Sequence, residues 1–279
     1  MKSHMLYAVG RRSVIAGATG GAVLAALNAP AAFAAGTPPT TVTRYGKAIA
    51  FGNGYVRMYA RVQMGQTRSL GLFISDEVMV DLPDHDEGHG PADGQTIIPM
   101  VPGIKDVAIR HATIGWNPHG HEPQSFELPH FDFHFYFITN AQRQLIDPSR
   151  ADFVEKANAP VPDGVMPQDF VPTLPPHVPF VNGTVPFMGF HWADMFRSAV
   201  MTGSLFEHEF INGSWDGRWT FLEPMITRDW FNSHESHAEP IKQPQVYSYP
   251  GSYPTQLNLF HSGEHQGWII ALREFEARG

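Results

Sequence analysis

The sequence predicts an all-β fold, a mainly antiparallel sandwich or distorted barrel with a few short helices and a long proline-rich loop. Three observations carry this. Residues 126–139 form the most strand-like run in the chain, alternating aromatic and polar side chains with a period of two. Asn53-Gly54 and Asp216-Gly217 each sit between strand-like runs, and Asn-Gly and Asp-Gly are the strongest short hairpin signals. Prolines (24) and glycines (26) make up about 18% of the 279 residues, short of a disordered composition but dense enough to break long helices.

Composition removes several classes of function. There is no cysteine, which excludes disulfides, Fe–S clusters, thiolate zinc and cysteine nucleophiles. Without a leader over residues 1–34, 16 basic residues face 27 acidic ones, a formal charge of −11, and no basic cluster offsets it. Such a surface repels nucleic acid and anionic lipid. No Gly-x-Ser-x-Gly elbow, phosphate-binding Gly-rich loop, His-Glu-x-x-His helix or cupin His-x-His spacing occurs. Histidine, by contrast, is abundant, with 15 in the chain.

From the N-terminus, Arg11-Arg12 precede a mildly apolar run over 14–27 and then Ala32-Phe33-Ala34. This reads as a signal peptide over 1–34. The arginine pair resembles a twin-arginine leader, with the general secretory route as the alternative. The run is too short to span a bilayer, so the mature chain is expected to be exported, periplasmic or extracellular, with no stable membrane anchor. Residues 35–45 read as a linker and 46–279 as a single β-rich metal-binding domain.

Residues 47–51 and 55–63 form a hairpin, Val56, Met58, Ala60 and Val62 alternating with Tyr55, Arg57, Tyr59 and Arg61. Residues 69–74 make another strand, and 84–94 an acidic surface loop. Asp147-Pro148 is an N-cap and N1 pair for a short helix toward Lys156. Eight prolines in residues 159–186 argue against regular structure there, and a loop of that length is expected to act as a lid or oligomer clasp. Residues 207–215 and 218–225 form the second hairpin, with a helical turn or two after Thr227.

In the run from His130 to Phe137, period two places His130, Asp132, His134 and Tyr136 on one face and four phenylalanines on the other. The phenylalanines can only be core. Two imidazoles, a carboxylate and a phenol opposite them are costly to bury unless something binds there. Positions i and i+2 lie about 6.7 Å apart, so one metal can take Asp132 with His134, or His130 with Asp132. His134 is the favoured ligand, His130 a ligand or a supporting group, and Asp132 the group that orients an imidazole.

Glu223 shares the face of Trp219, Phe221 and Met225 by the same alternation, a setting that requires a partner. A two-residue turn at Asp216-Gly217 sets Phe210 opposite Glu223, with His208 diagonal to it. His191 lies between aromatics, and His121 follows the turn-prone Pro118 and Gly120. His85 and His89, His234 and His237, and His261 and His265 read as solvent-facing loop groups.

The segments Gly115-Trp116-Asn117-Pro118, Gly120-His121, His130 to Tyr136, Gly189-x-His191-Trp192 and Phe221 to Met225 together resemble a family of exported, β-rich bacterial proteins of uncharacterised function. The resemblance spans roughly residues 42–255. It implies a β-rich fold and a homo-oligomer, brings no assigned reaction, and adds weight to His121, His130, His134, His191 and Glu223.

The functional expectation is a secreted metal-binding protein with a His/carboxylate site that takes Zn, Mn, Fe or Cu. Such a site serves a metal-dependent lyase, hydrolase or oxygenase acting on a small molecule, Asp132 or Tyr136 moving protons. Two alternatives stand beside it: a non-catalytic oligomeric envelope protein with a structural metal or polar cluster, and a carbohydrate-binding module presenting Tyr55, Tyr59 and tryptophans.

Overall fold

In the computed structural model, which describes residues 40–84, 95–204, 206–233 and 235–278, the entry to the first sheet is a hairpin that turns through Gly52 and Asn53 with Phe51 paired to Gly54, one residue before the expected Asn53-Gly54 turn. The leader over 1–34, the linker residues 35–39, the acidic loop with His85 and His89, and His234 lie outside the described residues. Strands β1 (Thr41–Tyr45), β2 (Ile49–Phe51), β3 (Gly54–Gln63) and β4 (Gln66–Ser75) come first. β1 is fully paired with β3, from Thr41↔Gln63 to Tyr45↔Tyr59. The domain therefore begins before residue 46: Val42 and Arg44 continue an extended ladder that proline-rich sequence just upstream does not interrupt.

The chain then crosses to a second sheet through β5 (Thr96–Pro99), β6 (His111–Asn117) and β7 (His130–Tyr136). Two short helices follow, α1 (Asn140–Arg143) and α2 (Phe153–Ala157). Thr139 caps α1 through a reciprocal pair with Gln142. Asp147 does not cap a helix running to Lys156; its carboxylate accepts the Ser149 amide in a tight turn, and α2 starts later. The second sheet is completed by β8 (Phe170–Pro172), β9 (Thr184–Val185), β10 (Gly189–Asp194), β11 (His208–Trp215) and β12 (Arg218–Thr227), with α3 (Ala199–Thr202) before β11. After α4 (Arg228–Ser233) the chain returns to the first sheet as β13 (His237–Pro240), β14 (Gly251–Ser262) and β15 (Gly267–Arg278).

All paired strands are antiparallel. The first sheet runs β1-β3-β4-β15-β14-β13 with β2 on β3, the second β5-β6-β7-β12-β11-β10-β8 with β9 on β10. Neither closes, so the fold is a β-sandwich and not a barrel. Between the sheets lies the main core: Val56, Met58, Leu70 and Leu72 from one side, and Phe131, Phe133, Phe135, Phe137, Leu222 and Ile226 from the other. The four phenylalanines of β7 thus face inward, as their alternation requires. Tyr59 is buried on the outer face of the first sheet against Phe73, with its hydroxyl on Ser69, and is not a ligand-stacking surface residue.

Two departures from local pattern position the site. Residues 159–186 are not free of regular structure: β8 and β9 both pair with β10, Pro172 ending β8 and Pro186 following β9, while the other prolines lie in the turns between. The β11–β12 hairpin does close with Trp215 opposite Arg218, but the register shifts at Gly213/Ser214, where Ser214 pairs with Trp219 and Gly213 with Phe221. Thr220 is the extra residue. Beyond this bulge Glu223 stands opposite Ile211, not Phe210, and His208 opposite Ile226. One residue of slip exchanges the faces, so Trp219 enters the main core while Phe221, Glu223 and Met225 point outward.

Candidate metal centre

The outer face of the second sheet carries the site. One end of this face is covered by Ile146, Phe153 and Ala157 from the α1–α2 region, packed on Tyr136 and Phe221. The other is covered by Phe126, Ala199 and Phe206, packed on Ile211 and Met225. Between these apolar patches lies a polar stripe made of two groups, each with two imidazoles and one carboxylate.

The first group is His134, His191 and Glu223. β12 pairs with β7 in the register Leu222↔Phe135 and Met225↔Asp132, which sets Glu223 level with His134. His191 comes from β10 and crosses β11 at Gly213, its register partner. His134 Nε2 lies 3.3 Å from Glu223 Oε1, and His191 Nε2 3.4 Å from Glu223 Oε2. Two donors on one tetrahedral ion with bonds of 2.0–2.2 Å stand about 3.3–3.6 Å apart. His134 and Glu223 are buried; the His191 side chain retains 20% exposure and forms the rim.

Hydrogen bonding does not satisfy this group. Neither ring nitrogen of His134 has a hydrogen-bond partner, and neither does Glu223 Oε2. Burial pushes His134 down to about 3 and His191 down to about 4, so both imidazoles are neutral lone-pair donors. Burial, with the charges of Asp132 and Glu209 adding to it, pushes Glu223 well above the usual carboxylate range. The pocket penalises negative charge without a cation and is lined with atoms suited to ligating one. No arginine pairs with Glu223 among the described ion pairs.

The second group is His121, His130 and Asp132. His130 Nδ1 donates to Leu128 O at 2.6 Å, and His121 Nδ1 to Glu122 O at 2.8 Å. Each neutral ring then presents an Nε2 lone pair, and these face each other at 3.2 Å. Asp132 lies 3.2 Å from His130 Nε2 and 3.7 Å from His121 Nε2, and accepts from Asn117 Nδ2 at 2.8 Å. Main-chain carbonyls therefore orient the imidazoles, and Asp132 stands on the converging side beside the lone pairs. Burial alone would raise Asp132, but His130 and His121 hold it well below its ordinary value. His121 is in turn raised, burial opposing and Asp132 overcoming it. This group can satisfy itself by placing a proton on His121, whereas in the first His134 Nδ1, His134 Nε2 and Glu223 Oε2 are left without a hydrogen bond.

All five expected ligands lie on this one stripe, divided into two groups because His130 and His134 sit four residues apart on a straight strand. Tyr136 stacks its ring between His134 (5.6 Å) and His111 (4.8 Å), closing the buried end. His208 is on the opposite face of the sheet from Glu223, for the bulge reason given above. His261 binds Asp76, 2.9 Å away, on the first sheet, and His119 binds Asp84 O. Sequence reasoning missed Asn117 and His111. It also misread His237, which lies on β13 beside Glu239; the His237-x-Glu239 spacing, the same i, i+2 signal as His130-x-Asp132, was available to find it.

No helix among the described residues is long and apolar enough to cross a membrane. No family model, curated protein or solved structure matches this chain, so geometry alone defines the site.

Proposed function

We propose that the protein is an exported metalloprotein, homo-oligomeric as its family resemblance implies, whose principal centre is His134, His191 and Glu223. Two imidazoles and a carboxylate on one side of an ion leave coordination positions open, the arrangement of non-haem iron and of catalytic zinc. The reading is a metal-dependent enzyme for a small molecule, of the lyase, hydrolase or oxygenase type. A bound metal would polarise a substrate oxygen or activate water. His191 and His121, the half-open members, form the approach from solvent. Asp132, held ionised beside two imidazoles, is placed to accept a proton near that approach.

The observation that carries the reading is the unsatisfied state of His134 and Glu223, fully buried donor atoms at ligand spacing. Elemental analysis of the folded chain, purified without a histidine tag, should find close to one transition-metal ion per chain at this centre. His134→Ala and Glu223→Gln should each weaken it at least about 100-fold, more than loss of a supporting partner would, while His261→Ala leaves it intact. Equal metal content in wild type and His134→Ala would overturn the assignment. The burial of His134 also favours a second reading, a structural metal in a non-catalytic envelope protein. Chelation separates them: activity lost without unfolding supports the enzyme, and unfolding on chelation supports the structural metal.

A further inference from the structure

A third set of donors lies on the other face of the second sheet, where the sandwich is open. His208 begins β11 opposite Ile226 and two residues from Phe210, both packed on the main core, so its ring turns toward the first sheet. His237 and Glu239 pair with Leu259 and Leu257, which are core residues, so these two side chains also turn inward from β13. The three meet between the sheets. The His208 and His237 ring centroids are 3.9 Å apart, His237 Nε2 is 3.6 Å from Glu239 Oε1, and one ligand atom from each residue falls within 4.8 Å of the others.

The surroundings are built for a ligand. Arg197 holds Glu239 Oε2 at 2.6 Å, which orients the carboxylate and leaves Oε1 toward the imidazoles. His237 Nε2 is buried without a hydrogen-bond partner. A cavity of about 180 Å³ adjoins the group, lined by His208, Glu209, Glu239, Asp194 and Lys242 among others. Glu209, only 8% exposed, borders this cavity with its Oε1 unpartnered, while its Oε2 accepts the Ala199 amide at 3.1 Å. Lys242 is engaged by Asp194 at 2.6 Å, so it does not neutralise Glu209.

We propose that His208, His237 and Glu239 form a second, separate divalent-metal site, of zinc type, that clips the end strand of one sheet to the middle of the other. Imidazole and carboxylate donors suit zinc, and the 3.6 Å separation is close to that of two donors on one tetrahedral ion. β13 is four residues long, pairs on one side only with β14, and ends its sheet. An ion that takes two donors from β13 and one from β11 would hold that edge in place. Since it binds only where the two strands meet, it would stabilise the folded state by mass action. The clip is independent of the outer-face centre, from which the second sheet separates it.

The test is zinc titration of the metal-stripped full chain, without a histidine tag, followed by calorimetry and thermal unfolding. A His130→Ala/His134→Ala variant should still bind one zinc and melt at a higher temperature with it. Adding His237→Ala should weaken this binding at least 100-fold and abolish the thermal shift, and His208→Ala should do the same. If the first variant does not fold, His237→Ala in the wild-type chain should bind one zinc fewer than wild type. Hydrogen exchange gives a second readout: zinc should slow exchange of the amides in β13 in wild type and not in His237→Ala. Unchanged stoichiometry, affinity and exchange in His237→Ala overturn the clip, whereas loss confined to His134→Ala overturns it while sparing the outer-face centre. Loss confined to His237→Ala does the reverse.

Discussion

Gly213 has only a hydrogen where any other residue carries a β-carbon, and that admits the Phe221 ring: a Cβ there would lie 1.9 Å from it. The same ring packs edge-on against His134 at 5.0 Å and His191 at 5.3 Å, so one small residue sets the wall of the centre. Gly213→Ala should therefore cost about 1–3 kcal/mol through overpacking and weaken metal binding together with stability. Urea unfolding and metal titration on one preparation check this, and unchanged values in both would reject it. His111, outside both donor groups, supplies a pH effect. Burial, with the Arg143 charge adding to it, pushes it down to about 4 from an ordinary 6.5. Between those values the unfolded chain binds a proton that the folded chain refuses, so stability falls as pH drops through that window. The slope is about 1.4 kcal/mol per pH unit for one proton. His111→Phe should remove that one-proton slope between pH 6.5 and pH 4, as read from denaturant unfolding at several pH values; a wild-type slope in the variant would reject the assignment.

The element that decides most is the β11–β12 hairpin, because its single bulge at Gly213/Ser214 sends Trp219 inward and Glu223 outward. Strict alternation along 219–225 puts both on one face, and that expectation fails at Thr220. β10 is the second deciding element. It is flanked by β11 on one side and by β8 and β9 on the other, and Thr173 binds the His191 carbonyl through its amide (3.3 Å) and hydroxyl (3.0 Å). The proline-rich excursion thus braces the strand that carries His191. Amides of Gly189–Asp194 should exchange with solvent water at least about 100-fold more slowly than those of the exposed tip around His177, since the former sit in strand pairing and the latter in a single turn, Val178 N to Pro175 O. Equal exchange across both segments would show that the excursion is not docked.

Across the whole molecule, the sandwich rests on one core that both sheets share, and the donor groups occupy what the core leaves over. Phe133 is fully buried, packs on Phe131 and Phe231, and has its back to the polar stripe. Phe133→Ala should cost about 3–5 kcal/mol, measured by denaturant unfolding, and should do so equally with and without metal because the ring touches no donor. A loss smaller than about 1 kcal/mol would mean that the two sheets do not share this core. Much of this was legible beforehand. The β class, the Asp216-Gly217 turn and the two faces of β7 follow from local pattern, whereas the first turn falls one residue before Asn53-Gly54 and the face of Glu223 is set by the bulge. The long β14–β15 hairpin, with its 12-residue strands, carries no comparable turn dipeptide and was not read.

What the sequence alone determined is which way side chains point along an unbroken strand such as β7, since alternation of period two is a local property of extended backbone. It therefore separated the phenylalanines of β7 from its histidines before any partner strand was known. Only the tertiary structure decided who meets whom. Glu223 reaches His134 because β12 lies beside β7, and His191 joins them because β10 crosses to the same face over a residue without a side chain. His208 leaves that face through one extra residue at Thr220 and finds His237 on the other sheet. Strand order, register and bulges are set by packing among residues far apart in the chain, and one residue of slip is enough to exchange the two faces.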